Sequence, residues 1–136
     1  RGAVRDTPID AQLANVPVSA AYSAACGADA KPLFFIGVDS NQNPRGDTDS
    51  DPATLNHGLS SMLKRVDVAS YTAAMDVVNG TFTGGVQNLG LAEGGVDYAL
   101  DQYNEALIPA DLIDAVNDIK QQIIDGVITV TDYRAL

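Results

Sequence analysis

The chain has no tryptophan, a single cysteine, a single histidine and two methionines, and its eight lysines and arginines face eighteen aspartates and glutamates. Each shortage closes off a class. With Cys26 alone no intrachain disulfide can form, and a thiol set among Ala24, Ala25 and Gly27 reads as a small packed residue. His57 is the only imidazole, so a zinc site or a Ser/His or Cys/His catalytic pair has little material to draw on. The expectation is therefore a protein that is not an enzyme and carries no cofactor. A net charge of -10 and a pI near 4.1 repel polyanions, which argues against nucleic acid and anionic membrane surfaces as partners. No apolar run approaches the roughly 20 residues that a membrane-spanning helix needs. The chain begins at Arg1 rather than Met, so it is expected to be processed or a fragment, with any export signal or lipid anchor lying upstream.

What is present suits one ordinary domain: 136 residues, 46% hydrophobic, with a mean hydropathy near zero. The strongest element is Leu33-Phe34-Phe35-Ile36-Gly37-Val38-Asp39-Ser40, a compact apolar run that stops at a carboxylate. Without polar alternation it predicts a strand buried on both faces, as in a parallel sheet. Ligands of open α/β sheets bind beyond the carboxyl ends of the strands, which puts Asp39 in a ligand-binding position. The same residues equally suit a plain turn, with Asp39 capping Ser40 and Asn41.

The rest of the chain repeats the pattern. Arg1 to Asn15 has no sustained period and predicts an irregular or weakly helical lead-in. Ser19 to Cys26, Ala-rich with Ser19 as cap and Gly27 as stop, predicts a short helix feeding the strand. Ser40 to Thr54, holding Pro44, Gly46, Pro52 and a series of aspartates, is a loop by composition. Leu59 to Leu63 predicts a second strand, and Val66, Ala69, Ala73 and Val77 recur at helical spacing before Gly80. Gly84 to Leu91 and Val96 to Leu100 are expected as strands that could pair as a hairpin about Glu93-Gly94-Gly95. Pro109 opens a helix with Leu112, Val116, Ile119 and Ile123 in one stripe, Asp111 and Asp114 near its start and Gly126 past its end. Val127 to Val130 closes the chain as a short strand.

Several short motifs fail on their chemistry. Asp39, Asn41 and Asn43, and again Asp47, Asp49 and Asp51, begin like calcium loops. The strict sixth and twelfth positions, glycine and glutamate, hold Pro44 and Ser50 in the first and Pro52 and Gly58 in the second. A solvated acidic loop is the simpler reading, and an acidic calcium-dependent interaction module stands as an alternative. Arg45-Gly46-Asp47 and Asn79-Gly80-Thr81 are three-residue matches of the kind that arise by chance. The glycines from Gly84 to Gly95 form neither a dinucleotide fingerprint nor a phosphate loop with its lysine.

Three blocks in order carry a resemblance: Gly37-Val38-Asp39-Ser40; Ser61-Met62-Leu63-Lys64-Arg65-Val66-Asp67; and Gly84-Gly85-Val86-Gln87-Asn88-Leu89-Gly90-Leu91 with Glu93-Gly94-Gly95-Val96. Leu107-Ile108-Pro109 follows in the same order, so the blocks cover roughly the last hundred residues. In these blocks the sequence resembles the basic membrane protein family, substrate-binding lipoproteins of ABC transporters whose characterised members bind purine nucleosides. The resemblance implies a Rossmann-like parallel sheet flanked by helices, one lobe of a type I periplasmic binding protein. Residues 1–136 would then be the C-terminal part of a two-lobed protein, with the N-terminal lobe absent. It also implies a nucleoside ligand, an ABC permease as partner and a periplasmic or lipid-anchored place in the cell envelope. In the family the residues matching Asp39 and Lys64 contact the ribose hydroxyls; a carboxylate can accept from both hydroxyls of a vicinal diol, and an ammonium can donate to the same oxygens. Two departures stand out. The glycine-rich segment before the first helix is replaced by Asn15-Val16-Pro17-Val18, and the usual Asp-Ser-Asp-Gln reads Asp39-Ser40-Asn41-Gln42. A sensing or regulatory lobe of the same fold is the other functional class that fits.

Overall fold

The computed structural model describes residues 16–131; the predicted lead-in, residues 1–15, lies outside them. The chain is α/β. Helix α1 (Ala20–Cys26) is followed by strand β1 (Phe35–Asp39), a 3-10 turn (Asn43–Gly46), strand β2 (Gly58–Lys64), helix α2 (Val66–Asn79), strand β3 (Val96–Tyr98) and helix α3 (Ala110–Ile124). The strands form one sheet in the order β1-β2-β3. Phe35, which opens β1, donates its N–H to the carbonyl of His57, just before β2, and further along β1 Gly37 lies against Ser61 further along β2, so these two strands run the same way. Ala99, just past β3, donates to Ser61, while Arg65, just past β2, donates to Gly95, just before β3. That is an antiparallel pairing, and the sheet is mixed rather than wholly parallel.

The chain divides into two compact units. The first holds the described residues through Met62 together with Tyr98–Ile108, and the second holds Leu63–Asp97 and the described residues from Pro109 onward. In the first unit α1 forms as its caps predict: the Ser19 hydroxyl accepts the Tyr22 N–H, and Gly27 ends the helix at φ 100°. The Tyr22 hydroxyl accepts the Leu33 N–H at 3.2 Å and donates to the Lys31 carbonyl at 3.3 Å, which ties the helix to the approach of β1. His57 stacks on Tyr22 with ring centroids 4.2 Å apart, and its Nδ1 lies 2.9 Å from the Leu33 carbonyl oxygen. Since a carbonyl only accepts, Nδ1 carries a proton; Nε2 is buried and has no hydrogen-bond partner among the described residues.

The interior of this unit is unusually polar. Among the described residues only Leu55 and Ala99 are buried apolar side chains, whereas Ser19, Asn43, Asn56, His57, Ser61 and Asn104 are buried polar ones. Hydrogen bonds rather than apolar area therefore fix its geometry. The expected two-sided burial of β1 is not found: Ile36 and Val38, which share one face of the strand, are 64% and 53% exposed.

In the second unit α2 ends as predicted at Gly80, whose φ of 70° lets its N–H reach the carbonyls of Asp76 and Val77. Helix α3 starts at Ala110, one position later than predicted, with Pro109 as its N-cap. Leu112, Val116 and Ile119 of its apolar stripe stay exposed.

Two expected strands do not form. In Gly84 to Leu91 the backbone turns instead of extending: Gly85 sits at φ 135°, the Glu93 carboxylate accepts the Gly90 N–H at 2.8 Å, and Gly95 N–H closes back on the Gly90 carbonyl at 2.8 Å. The expected hairpin is thus replaced by a turn that delivers Val96–Tyr98 to β2. At Val127 to Val130 the first amides are already engaged, since Val127 and Ile128 both donate to the Gln122 carbonyl and close the end of α3 over Gly126.

Candidate functional site

Asp39 is the last residue of β1 and is exposed. Its φ is 75°, and Ser50 at 61° is the only other non-glycine residue with positive φ among those described. Aspartate tolerates the left-handed region better than most residues, but the conformation still costs about 1 kcal/mol or more and persists only where its surroundings hold it. Those surroundings can be traced bond by bond. On the strand side, Gln42 Nε2 donates to the Val38 carbonyl at 2.6 Å, and the Gln42 N–H donates to Ser61 Oγ on β2 at 2.9 Å. On the loop side, Asn41 Nδ2 donates to Asp101 Oδ2 at 2.6 Å while Asn41 Oδ1 accepts the Asn43 N–H at 3.0 Å.

Beneath the loop lies a buried polar hub. Asn43 accepts the Ser61 hydroxyl on Oδ1 at 2.8 Å, points Nδ2 at Asp101 Oδ2 at 3.3 Å, and offers its backbone carbonyl to Asn56 Nδ2 at 2.9 Å. Asn104 plays the same part from the other side: Nδ2 donates to the carbonyls of Leu59 and Ala99 at 2.8 and 2.9 Å, and Oδ1 accepts the Asp101 N–H at 2.8 Å. Buried side-chain amides that use both ends in this way cost little desolvation and fix their neighbours strongly. Gly37 makes the close approach possible, because a Cβ there would stand 2.6 Å from Ser61 Oγ and 2.8 Å from Gln42 Cβ. The departure at position 41 is also accounted for: a carboxylate in place of the Asn41 amide would face the Asp101 carboxylate.

Lys64 closes β2 in the second unit and is exposed. It and Asp39 end neighbouring strands but belong to different units; neither is without a polar partner. Beside Lys64, Arg65 holds Asp67 through contacts of 2.8 to 3.2 Å. That hydrogen bond, ahead of all other influences, lowers the Asp67 carboxyl from 3.8 to about 2, and Arg65 is raised in return. Further along the same unit Lys120 pairs with Asp97 at 2.9 Å.

The aspartate loop caps itself. Asp47 Oδ1 accepts the N–H groups of Asp49 and Ser50, Asp49 Oδ1 accepts the Asp51 N–H and the Thr54 hydroxyl, and Asp51 Oδ1 accepts the Ala53 N–H. Among the described residues no group of histidine, cysteine, aspartate and glutamate side chains is arranged to hold a metal ion. A cavity of about 460 Å³ opens in the first unit between this loop and the segment from Gln102 to Leu107, floored by Leu55; Asp39 does not line it. No helix among the described residues is long and apolar enough to cross a membrane.

Sequence reasoning singled out Asp39 and Lys64, and Asn43 only as a calcium-loop position; it did not find the hub that Asn43, Ser61, Asp101 and Asn104 form, whose partners lie up to 60 positions away.

No family model matches the chain. Two curated proteins do: the CD4+ T-cell-stimulating antigens of Listeria monocytogenes and Listeria innocua, each 35% identical over 102 residues, which is 74% of this chain and 28% of the relative. The chain thus spans under a third of the length of the curated relatives it matches. A solved structure described as an ABC transporter system solute-binding protein from Aeropyrum pernix is 31% identical, with a TM-score of 0.49 over 82% of this chain and 36% of that one. A backbone likeness of that size fixes neither fold nor ligand.

Proposed function

We propose that the chain is part of a solute-binding protein of an ABC transporter, working outside the cytoplasm with a membrane permease and holding a nucleoside through Asp39 and Lys64. The observation that carries the reading is Asp39 itself. It stands at the carboxyl end of a strand, exposed, in a left-handed conformation that the buried hub beneath it sustains. Strain held at the tip of a strand in an α/β sheet is the arrangement expected of a ligand contact. The ordered sequence blocks support the choice of ligand class, since the residue matching Asp39 there meets the ribose. The exposed apolar side chains of β1 and α3 accord with further protein packing against this chain, the remainder of a two-lobed molecule.

The physical basis of recognition is simple. A carboxylate accepts from both hydroxyls of a vicinal diol, and each such bond to a charged acceptor is worth about 1.5 to 3 kcal/mol. In the two-lobed protein Asp39→Ala is expected to abolish riboside binding and Lys64→Ala to weaken it. Deoxyribosides, lacking one hydroxyl, bind the parent less tightly and lose less on Asp39→Ala. Calorimetric titration of adenosine and deoxyadenosine into parent and variant decides it: equal losses for both ligands, with normal melting, would remove Asp39 from the sugar site. The 136-residue chain alone is expected to bind nucleosides weakly, because a one-sided site stays wet.

A further inference from the structure

We propose that Asp101 is a positioning residue for Asp39: by accepting from Asn41 and Asn43 it fixes the loop after β1 and, through it, the left-handed backbone at Asp39. The link to ligand affinity rests on the reading of Asp39 as a ligand contact; the brace itself does not.

Each side chain in the series orients the next. Asn104, fully buried, is anchored to the Leu59 and Ala99 carbonyls by its amide nitrogen, so its Oδ1 is fixed where it meets the Asp101 N–H. The Asp101 carboxylate is then oriented by its own turn, with Oδ1 taking the Tyr103 N–H at 2.9 Å. That leaves Oδ2 for the loop, where it receives Asn41 at 2.6 Å and, more loosely, Asn43 at 3.3 Å. A carboxylate can only accept, so both asparagines must present nitrogen to it. For Asn41 this choice turns Oδ1 toward the Asn43 N–H, which it accepts at 3.0 Å. The amide of Asn41 is thereby fixed at both ends, two residues beyond Asp39. Every member of the series belongs to the first unit.

Polarity makes the proposal testable by exchange. Asn41→Asp keeps the acceptor for the Asn43 N–H but sets one carboxylate against another; Asp101→Asn removes the charged acceptor. Combining the two restores a donor facing a carboxylate with the direction reversed, and forfeits only the longer contact to Asn43. The measurement is amide hydrogen exchange in the 136-residue chain at Gln42 and Asn43, with the Asp39 amide shift as a marker of its backbone, and with Ser23 in α1 and its C-cap Gly27 as internal controls. Each single variant should speed exchange at Gln42 and Asn43 by about tenfold or more, the size of one charged hydrogen bond, and move the Asp39 shift, and the double variant should recover most of both. Exchange unchanged in the single variants, or no recovery in the double, overturns the brace. Adenosine affinity in the two-lobed protein, measured on the same variants, should follow the same order. If exchange follows the order while affinity ignores it, and Asp39→Ala still abolishes binding, then Asp39 reads the ligand without Asp101 and the positioning role falls. If exchange follows the order and the parent binds no adenosine, the nucleoside reading falls and the brace stands.

Discussion

Asn43→Ala probes the hub at its centre. The substitution removes the acceptor of the Ser61 hydroxyl, 2.8 Å away, and the donor 3.3 Å from Asp101, while the backbone carbonyl that takes Asn56 is untouched. A neutral hydrogen bond contributes about 1 kcal/mol, and a buried hydroxyl left without an acceptor costs about 1 to 3 kcal/mol more. The expected loss is therefore about 2 to 4 kcal/mol, a large part of the 5 to 15 kcal/mol that stabilises an ordinary domain. In urea denaturation the midpoint should fall by about 1 to 3 M with little change in slope. Asn43→Asp sharpens the test. It preserves shape and keeps an acceptor for Ser61, but sets a second carboxylate beside Asp101, so it should cost more than Asn43→Ala at neutral pH and recover part of the loss on acidification. A double-mutant cycle with Ser61→Ala should show coupling, because the two residues share one buried bond. If Asn43→Ala changes stability by less than about 0.5 kcal/mol, as an ordinary surface substitution does, the hub does not hold the loop and the account of Asp39 fails with it.

Three further outcomes are expected. Gly46→Ala would place a Cβ 2.1 Å from both Asn56 Oδ1 and the Gly58 backbone nitrogen, and should destabilise by about 1 to 3 kcal/mol in a thermal melt, whereas Gly84→Ala, which meets nothing within 4 Å, should be tolerated; equal melting of the two would refute the close packing. In an NMR titration the Asp67 carboxyl should titrate near 2 and return toward 3.8 in Arg65→Ala. Because its folded pKa is depressed, the pair's contribution is complete above pH 3.8 and lost as pH falls through about 2; a normal titration in the parent would contradict the Arg65 contact. Millimolar calcium should leave the melting temperature unchanged, since the loop aspartates already accept from their own backbone; a site filled to a hundred times its dissociation constant would add about 2.7 kcal/mol, and a chelator-reversible rise would restore the calcium-dependent reading.

What the sequence determined by itself is local. Ser19 and Gly27 bound α1 and Gly80 ends α2 because caps act through the nearest turn of backbone, and the apolar run before Asp39 forms the strand that its composition predicts. The α/β class was legible for the same reason. Pairing is not local, and there only the tertiary structure decided. Gly84 to Leu91 and Val127 to Val130 have the composition of strands, yet their amides find nearer acceptors in a turn and a helix end, and β3 reaches β2 in the antiparallel sense. The hub was hidden most completely. Asn43, Ser61, Asp101 and Asn104 look in sequence like ordinary loop and surface polar residues, and an asparagine becomes a keystone only when folding buries it where both ends of its amide meet a partner. Asp39 could be picked out from the end of its strand; what keeps it in a left-handed conformation could be read only from the side chains that folding brings beneath it.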